Sequence, residues 1–276
     1  MQYKTLMVHL ELSGGNEGIL KIAGQLAERF DARVIGIAAC QPVSVPFDEG
    51  FALEDIVARD RAEISREIAV AEAQFRDALK NRAKALEWRA CITGRPLVDY
   101  IASEARAADL VITGKDIGSK LFDQTRRVPM GGLVMRCGRP ILLVPPGVDT
   151  LAFRHVFVGW KETREARRAV ADALPLLKLA GRSTVVEVTD EGSENAAKAH
   201  LADVTSWLAM HQISATPHVA VAAGAGADYL RGFLRDRKCD LMIAGAYGHN
   251  RLSEWFYGGV TYDLLLDPDF CVLISH

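Results

Sequence analysis

Short apolar runs alternate along the chain with longer stretches in which apolar positions recur every three to four residues. The first kind reads as buried strand and the second as amphipathic helix. On that basis the first half runs strand 3–10, helix 17–30, strand 34–39, a long charged helix over 53–86, strand 88–92, helix 97–107, then strands 110–113 and 141–144. Pro145-Pro146-Gly147-Val148-Asp149 then punctuates the pattern as a linker. The alternation restarts with strand 156–160, a helix over 166–180 closed by Gly181, strand 184–188, helix 194–210, strand 218–221, helix 228–235, and strands 241–244 and 272–274. Each half has five strands and about four helices. Strands separated by helices argue for parallel βαβ units. The charged run Arg59-Asp-Arg-Ala-Glu-Ile-Ser-Arg-Glu67 reads as a solvated helix face held by i,i+3 and i,i+4 pairs.

The two halves are copies of one unit. Asp109-Leu-Val-Ile-Thr-Gly114 lies opposite Asp240-Leu-Met-Ile-Ala-Gly245, and with no further gap Ile141-Leu142-Leu143 meets Val272-Leu273-Ile274. This sets the expected domains at 1–147 and 153–276. The same register exposes a difference. Gly245 is followed by Gly248, then after nine residues by Gly258-Gly259-Val260-Thr261. Opposite Gly248, Gly258, Gly259 and Val260 stand Ile117, Arg127, Val128 and Pro129; Gly118, Gly131 and Gly132 miss the offset. Glycines let backbone N–H groups approach a ligand, and a helix start adds unpaired donors and partial positive charge. The C-terminal copy therefore carries a phosphate cradle that bulky residues close in the N-terminal copy. The spacing matches neither a Walker P-loop nor G-x-G-x-x-G.

At these residues the chain resembles the universal stress protein family in its tandem two-domain form. Gly245, Gly248 and Gly258 match the family's G-x2-G-x9-G spacing. The resemblance spans the whole chain, one unit per half, and includes the restart His155-Val-Phe-Val-Gly-Trp160 with the Ala-rich helix after it. It implies an α/β fold of two repeated doubly wound domains, each Rossmann-like with a five-stranded parallel sheet. It implies an adenine-nucleotide site, for ATP with Mg2+ as accompanying ion, at the C-terminal edge of the second sheet. Gly245 and Gly248 would line the loop beside ribose and phosphates. The N–H groups of Gly258, Gly259, Val260 and Thr261 would receive the phosphates, with the Thr261 hydroxyl adding a hydrogen bond or approaching the metal. Two positions depart from the pattern: Gly259 stands where Ser or Thr is usual. Lys161, matched by Glu11 in the first half, stands where an Asp usually closes the first strand.

Composition excludes other classes more than it selects one. The 276 residues are 49% hydrophobic and 25% charged, with a net charge of −2, as in ordinary globular proteins. No basic excess points to nucleic acid, no apolar run reaches the length of a membrane span, and the N-terminus has no signal-peptide pattern; a cytoplasmic location is the default. The five cysteines form no C-x-x-C pair and read as free buried thiols. No G-x-S-x-G, H-E-x-x-H or EF-hand motif is present, so no catalytic or metal residue is assigned. His249 and Arg251 face either phosphates or solvent. Lys115, Asp116 and Lys120 form either a surface loop or a degenerate anion site. Trp255-Phe256-Tyr257 either packs over the helix start or meets a partner. The expected function is a stress-response or signalling module binding nucleotide through its C-terminal half. The alternatives are a nucleotide-free interaction scaffold and, behind it, a slow ATPase. Expected assembly is intramolecular pairing of the two halves, with a homodimer as the alternative.

Overall fold

In the computed structural model the described residues are 2–12, 14–43, 52–115, 127–221, 226–246 and 270–276. By their contacts they form two compact units, Tyr3–Arg139 and Pro140–His276, the second also taking in Gln2. In the first unit, β1 (Thr5–His9), β2 (Arg33–Cys40), β3 (Leu86–Ile92) and β4 (Leu110–Gly114) lie parallel in the order β3-β2-β1-β4. In the second, β6 (Val156–Gly159), β7 (Ser183–Thr189), β8 (Ala215–Val221), β9 (Leu241–Gly245) and β10 (Cys271–Ser275) lie parallel in the order β10-β9-β6-β7-β8. The fifth strand of the first half, β5 (Ile141–Val144), belongs by its contacts to the second unit and runs antiparallel to β10, with Leu142 opposite Leu273. Strands and helices alternate in both units, as the periodicity predicts, in the α/β arrangement that the resemblance implies. Residues Leu6, Met7 and Val8 of β1, and Leu241, Met242 and Ile243 of β9, are wholly buried, which is why these strands read as unbroken apolar runs.

Of the helices, α1 (Glu17–Phe30), α2 (Ala52–Leu79), α3 (Leu97–Glu104), a 3-10 turn (Ala105–Ala107) and α4 (Met130–Cys137) follow in the first unit. The second unit holds α5 (Arg164–Asp172), α6 (Leu174–Leu177), α7 (Glu194–Met210) and α8 (Gly226–Asp236). None among the described residues is long and apolar enough to cross a membrane. Three departures from the pattern have physical causes. Helix α2 stops at Leu79 because Lys84 N–H donates to Ala32 O (3.0 Å), and Leu86 is drawn into the ladder opposite Val34. The single helix expected over 166–180 is two, broken at Ala173 ahead of Pro175, whose missing N–H suits a helix start and not an interior. Helix α4 adds an element, opened after Pro129 and closed by Gly138 at φ 60°.

The duplicated aspartates tie the start of one strand to the next in both units. Asp109, just before β4, accepts from the backbone N–H of Lys4 (2.7 Å) and Thr5 (2.9 Å) through Oδ2 and donates its own N–H to Thr5 O (2.9 Å). Asp240, just before β9, accepts from His155 N–H (2.8 Å) through Oδ2 and donates its N–H to His155 O (3.0 Å). Charge-assisted bonds of this kind contribute about 1.5–3 kcal/mol when enclosed and less at an exposed strand start. Asp109→Ala is expected to lower stability by about 2 kcal/mol and Asp240→Ala by about 1 kcal/mol, since the second loses one such acceptor bond rather than two. Urea unfolding of the two variants checks the order.

Candidate functional site

Open parallel sheets hold ligands outside the carboxyl ends of their strands, where the strand order reverses. In the second unit the reversal falls between β6 and β9, so the relevant groups are those following Gly159 and Gly245. Gly245 closes β9 opposite Ser275. The next residue, Ala246, donates its N–H to Ser275 O (2.9 Å), and His276 Nδ1 lies 3.1 Å from Ala246 O. The Ser275 hydroxyl donates to Asp172 Oδ2 (2.6 Å), fixing the end of β10 to α5.

Helix α5 begins directly over this edge. Thr163 is its N-cap, accepting from Ala166 N–H (3.2 Å) through its hydroxyl, the usual way a Thr satisfies a first-turn donor. The first turn presses on Gly245: a β-carbon there would lie 2.5 Å from Ala166 N and from Glu165 C, and 2.8 Å from Glu165 O. Glycine at 245 is thus required by helix–sheet contact, much as the last glycine of a dinucleotide fingerprint allows close helix–strand packing. Glu165, 4% exposed, lies in that turn. Burial alone would raise its pKa. The hydrogen bond from Arg164, its own backbone N–H and the charges of Arg164 and His276 outweigh burial and hold the carboxyl below its ordinary value.

Lys161 is exposed in the loop between β6 and α5. Beside it, Trp160 is buried and donates its backbone N–H to Val186 O (2.8 Å). Extending the β6–β7 register by one residue sets Trp160 beside Glu187. Glu187 Oε1 lies 3.2 Å from His200 Nδ1. Trp160 Nε1 and Glu187 Oε2 are the two buried side-chain atoms among the described residues that lack a hydrogen-bond partner. Neither was singled out from the sequence. The signal was present in Glu187, the one charged residue inside a run otherwise of Ser, Thr and Val, Ser183-Thr-Val-Val-Glu-Val-Thr189. At the opposite ends of these strands a shallow groove of about 380 Å3, lined by Arg154, Arg235, Lys238, Asp240 and Phe270, lies away from the switch point.

Of the residues assigned from the motif, Gly245 is described. Gly248, Gly258, Gly259, Val260 and Thr261 lie outside the described residues, as do Ile117, Gly118, Asp116, Lys120, His249, Arg251 and Trp255-Phe256-Tyr257. Among the described residues no three His, Cys, Asp or Glu side chains come together as a metal-binding group. All five cysteines are free thiols, four of them buried and Cys91 half-buried.

The corresponding edge of the first unit is built differently. The reversal there lies between β1 and β4. Seven residues, 10–16, join β1 to α1, against four, 160–163, between β6 and α5. Asn16 could cap α1 but instead turns back onto the loop. Its Oδ1 accepts from Glu11 N–H (3.0 Å) and its Nδ2 donates to Glu11 O (2.8 Å), and it caps nothing. Among the described residues, a β-carbon at Gly114 would meet Ile19 Cδ1 at 3.3 Å and Glu11 Oε1 at 3.5 Å, and no helix backbone. Val128, opposite Gly259 in the repeat, is 4% exposed, its side chain taken up by the core. His9, 2% exposed at the end of β1, shares a hydrogen bond with the Thr113 hydroxyl (2.9 Å), and burial lowers its pKa to about 4.

No protein-family model matches the sequence, and no curated protein matches it. Solved structures do. A universal stress protein from Archaeoglobus fulgidus DSM 4304 superposes with a TM-score of 0.77 at 13% identity, covering 98% of this chain and 95% of that one. A functionally unknown protein from Pseudomonas aeruginosa PAO1 superposes at 0.60 and 14% identity, covering 99% and 92%. A universal stress protein solved in complex with cAMP aligns with 52% of this chain and 98% of its own, at 24% identity and a TM-score of 0.36. Across nearly its full length, the chain has the fold of a universal stress protein.

Proposed function

We propose that the chain is a tandem universal stress protein that binds an adenine nucleotide, ATP with Mg2+, through its C-terminal half, and acts as a stress-response or signalling module. One observation carries the reading. The glycine that opens the G-x2-G-x9-G spacing, Gly245, ends β9 at the point where the strand order of the second unit reverses. The helix-start contact at Gly245 supports it further, since it brings the first turn of α5, with its partial positive charge, to the same edge. The matching edge of the first unit supports a single site per chain: its loop is three residues longer, and Val128 is spent on the core.

Native mass spectrometry with Mg2+ and ATP is expected to find one nucleotide per chain. Gly258→Val is expected to abolish binding while leaving the melting temperature within about 2 °C of wild type, because it obstructs approach to the backbone donors. Two equivalent sites, or unchanged binding in the variant, would overturn the proposal. The exposed Lys161 favours a second reading, a nucleotide-free scaffold, since an ammonium cannot accept a hydrogen bond from a ribose hydroxyl. That reading requires no rise in melting temperature at millimolar ATP.

A further inference from the structure

We propose that Trp160 Nε1–H and Glu187 Oε2 form a hydroxyl-binding position in the second unit, on the sheet face that carries α5 and α7. The register places it. Gly159 pairs with Ala244 on one side and Val186 on the other, so the next residue, Trp160, stands level with Gly245 and Glu187. The bond from Trp160 N–H to Val186 O (2.8 Å) carries the ladder to this level. Level positions on neighbouring strands, about 4.8 Å apart, send their side chains to the same face. On that face Gly245 meets the first turn of α5, and Glu187 Oε1 lies 3.2 Å from Nδ1 of His200 on α7.

Each side chain is enclosed and keeps one group unused. Trp160 and Glu187 are both 9% exposed, and Nε1 of the first and Oε2 of the second have no hydrogen-bond partner among the described residues. Buried polar groups are paired as a rule, with protein or with an enclosed molecule. These two are opposite in kind, since an indole N–H only donates and an ionised carboxylate only accepts. A cation would satisfy Oε2 and leave the N–H idle. An anion would satisfy the N–H beside a like charge. A hydroxyl oxygen accepts from Nε1 and donates to Oε2, so one group serves both. The first unit shows that the fold itself does not call for a polar pair here. At the same level Leu10, whose N–H donates to Ile37 O (2.9 Å), stands beside Ala38, and both are buried apolar residues at 1% and 0% exposure. The hydroxyl belongs to an enclosed water or to the sugar of a ligand at the strand ends. The second source rests on nucleotide binding by the C-terminal half.

The test is NMR of the full chain, reading the Trp160 indole N–H, assigned by through-bond transfer. In wild type this proton is expected to show a dipolar cross-peak to water, with the sign of a held molecule, and Glu187→Met is expected to lose it because the water then has one partner fewer. The probes are millimolar adenosine and 2′,3′-dideoxyadenosine, which lacks the sugar hydroxyls of that ring. A cross-peak that adenosine leaves in place assigns the position to water. Adenosine shifting the resonance, with the dideoxy analogue leaving it unmoved, assigns it to the sugar. A resonance with no water cross-peak that adenosine does not move, or that both nucleosides move alike, overturns the proposal. So does a cross-peak that survives in Glu187→Met. If that variant does not fold, the wild-type spectra with and without the two nucleosides still decide. Failure of ATP to bind would overturn the reading of the C-terminal half and leave the water cross-peak to judge this one.

Discussion

Gly245→Val is expected to destabilise the protein by about 3 kcal/mol, and Gly245→Ala by about 1–3 kcal/mol. The atoms in the way are Glu165 C and O and Ala166 N, all backbone, in a helix turn capped by Thr163 and tied to β10 through Asp172 and Ser275. None can rotate aside as a side chain would, so either α5 lifts off β9 or the strand end moves. The equivalent change in the first unit supplies the control. At Gly114 the nearest neighbours among the described residues are the tips of Ile19 and Glu11, at 3.3 and 3.5 Å, and Gly114→Ala is expected to stay within about 1 kcal/mol of wild type. Urea unfolding of the three variants measures the contrast. If Gly245→Val unfolds at the wild-type midpoint, the packing explanation for this glycine is wrong, and its role is with ligand alone.

The second large effect is a loss of stability in mild acid. His9 is fully enclosed, and burial lowers its pKa from 6.5 to about 4, so the folded state keeps it neutral where the unfolded chain protonates it. Between those two values the unfolded state binds more protons. The stability that neutral His9 contributes is therefore complete above pH 6.5 and falls as pH drops toward 4. From pH 7.5 to pH 4.5 the expected loss from this one group is about 2–3 kcal/mol. Burial also lowers the pKa values of His155 and His218, which act in the same direction to a smaller extent because both are nearer solvent. His9→Gln keeps a neutral partner for the Thr113 hydroxyl and cannot titrate. Its unfolding free energy is expected to fall less than that of wild type over the same interval. Parallel pH profiles for the two proteins would assign the acid sensitivity elsewhere.

These two residues mark how far the sequence could be read. Gly245 was found by its spacing, because a glycine pattern survives as a string. The atoms that make it necessary belong to Glu165 and Ala166, some eighty positions earlier, and no local pattern joins them. His9 is a polar residue at the end of an apolar run, and its burial follows from facing Thr113 across the β1–β4 pair, a contact spanning more than a hundred residues. The same holds for Asp109 and Asp240. Their repeat position was visible at once, but the backbone N–H groups they satisfy lie at the start of a distant strand.

The alternation of short apolar runs and amphipathic stretches was enough to determine the α/β class, the duplication, and the order of nearly all the elements. Burial on both faces of a parallel sheet, and on one face of each helix, writes itself into the residue pattern. Helix 17–30, strand 141–144 and helix 194–210 fell on the observed bounds for that reason. Tertiary structure decided what depends on meeting a partner far along the chain. It ended α2 at Leu79 because Leu86 was needed in the ladder with Val34, and it set β5 antiparallel to β10. It also gave the two glycines at equivalent strand ends different neighbours, helix backbone at Gly245 and a carboxylate at Gly114. Periodicity records which side of an element is buried; it carries no record of the atoms that cover it.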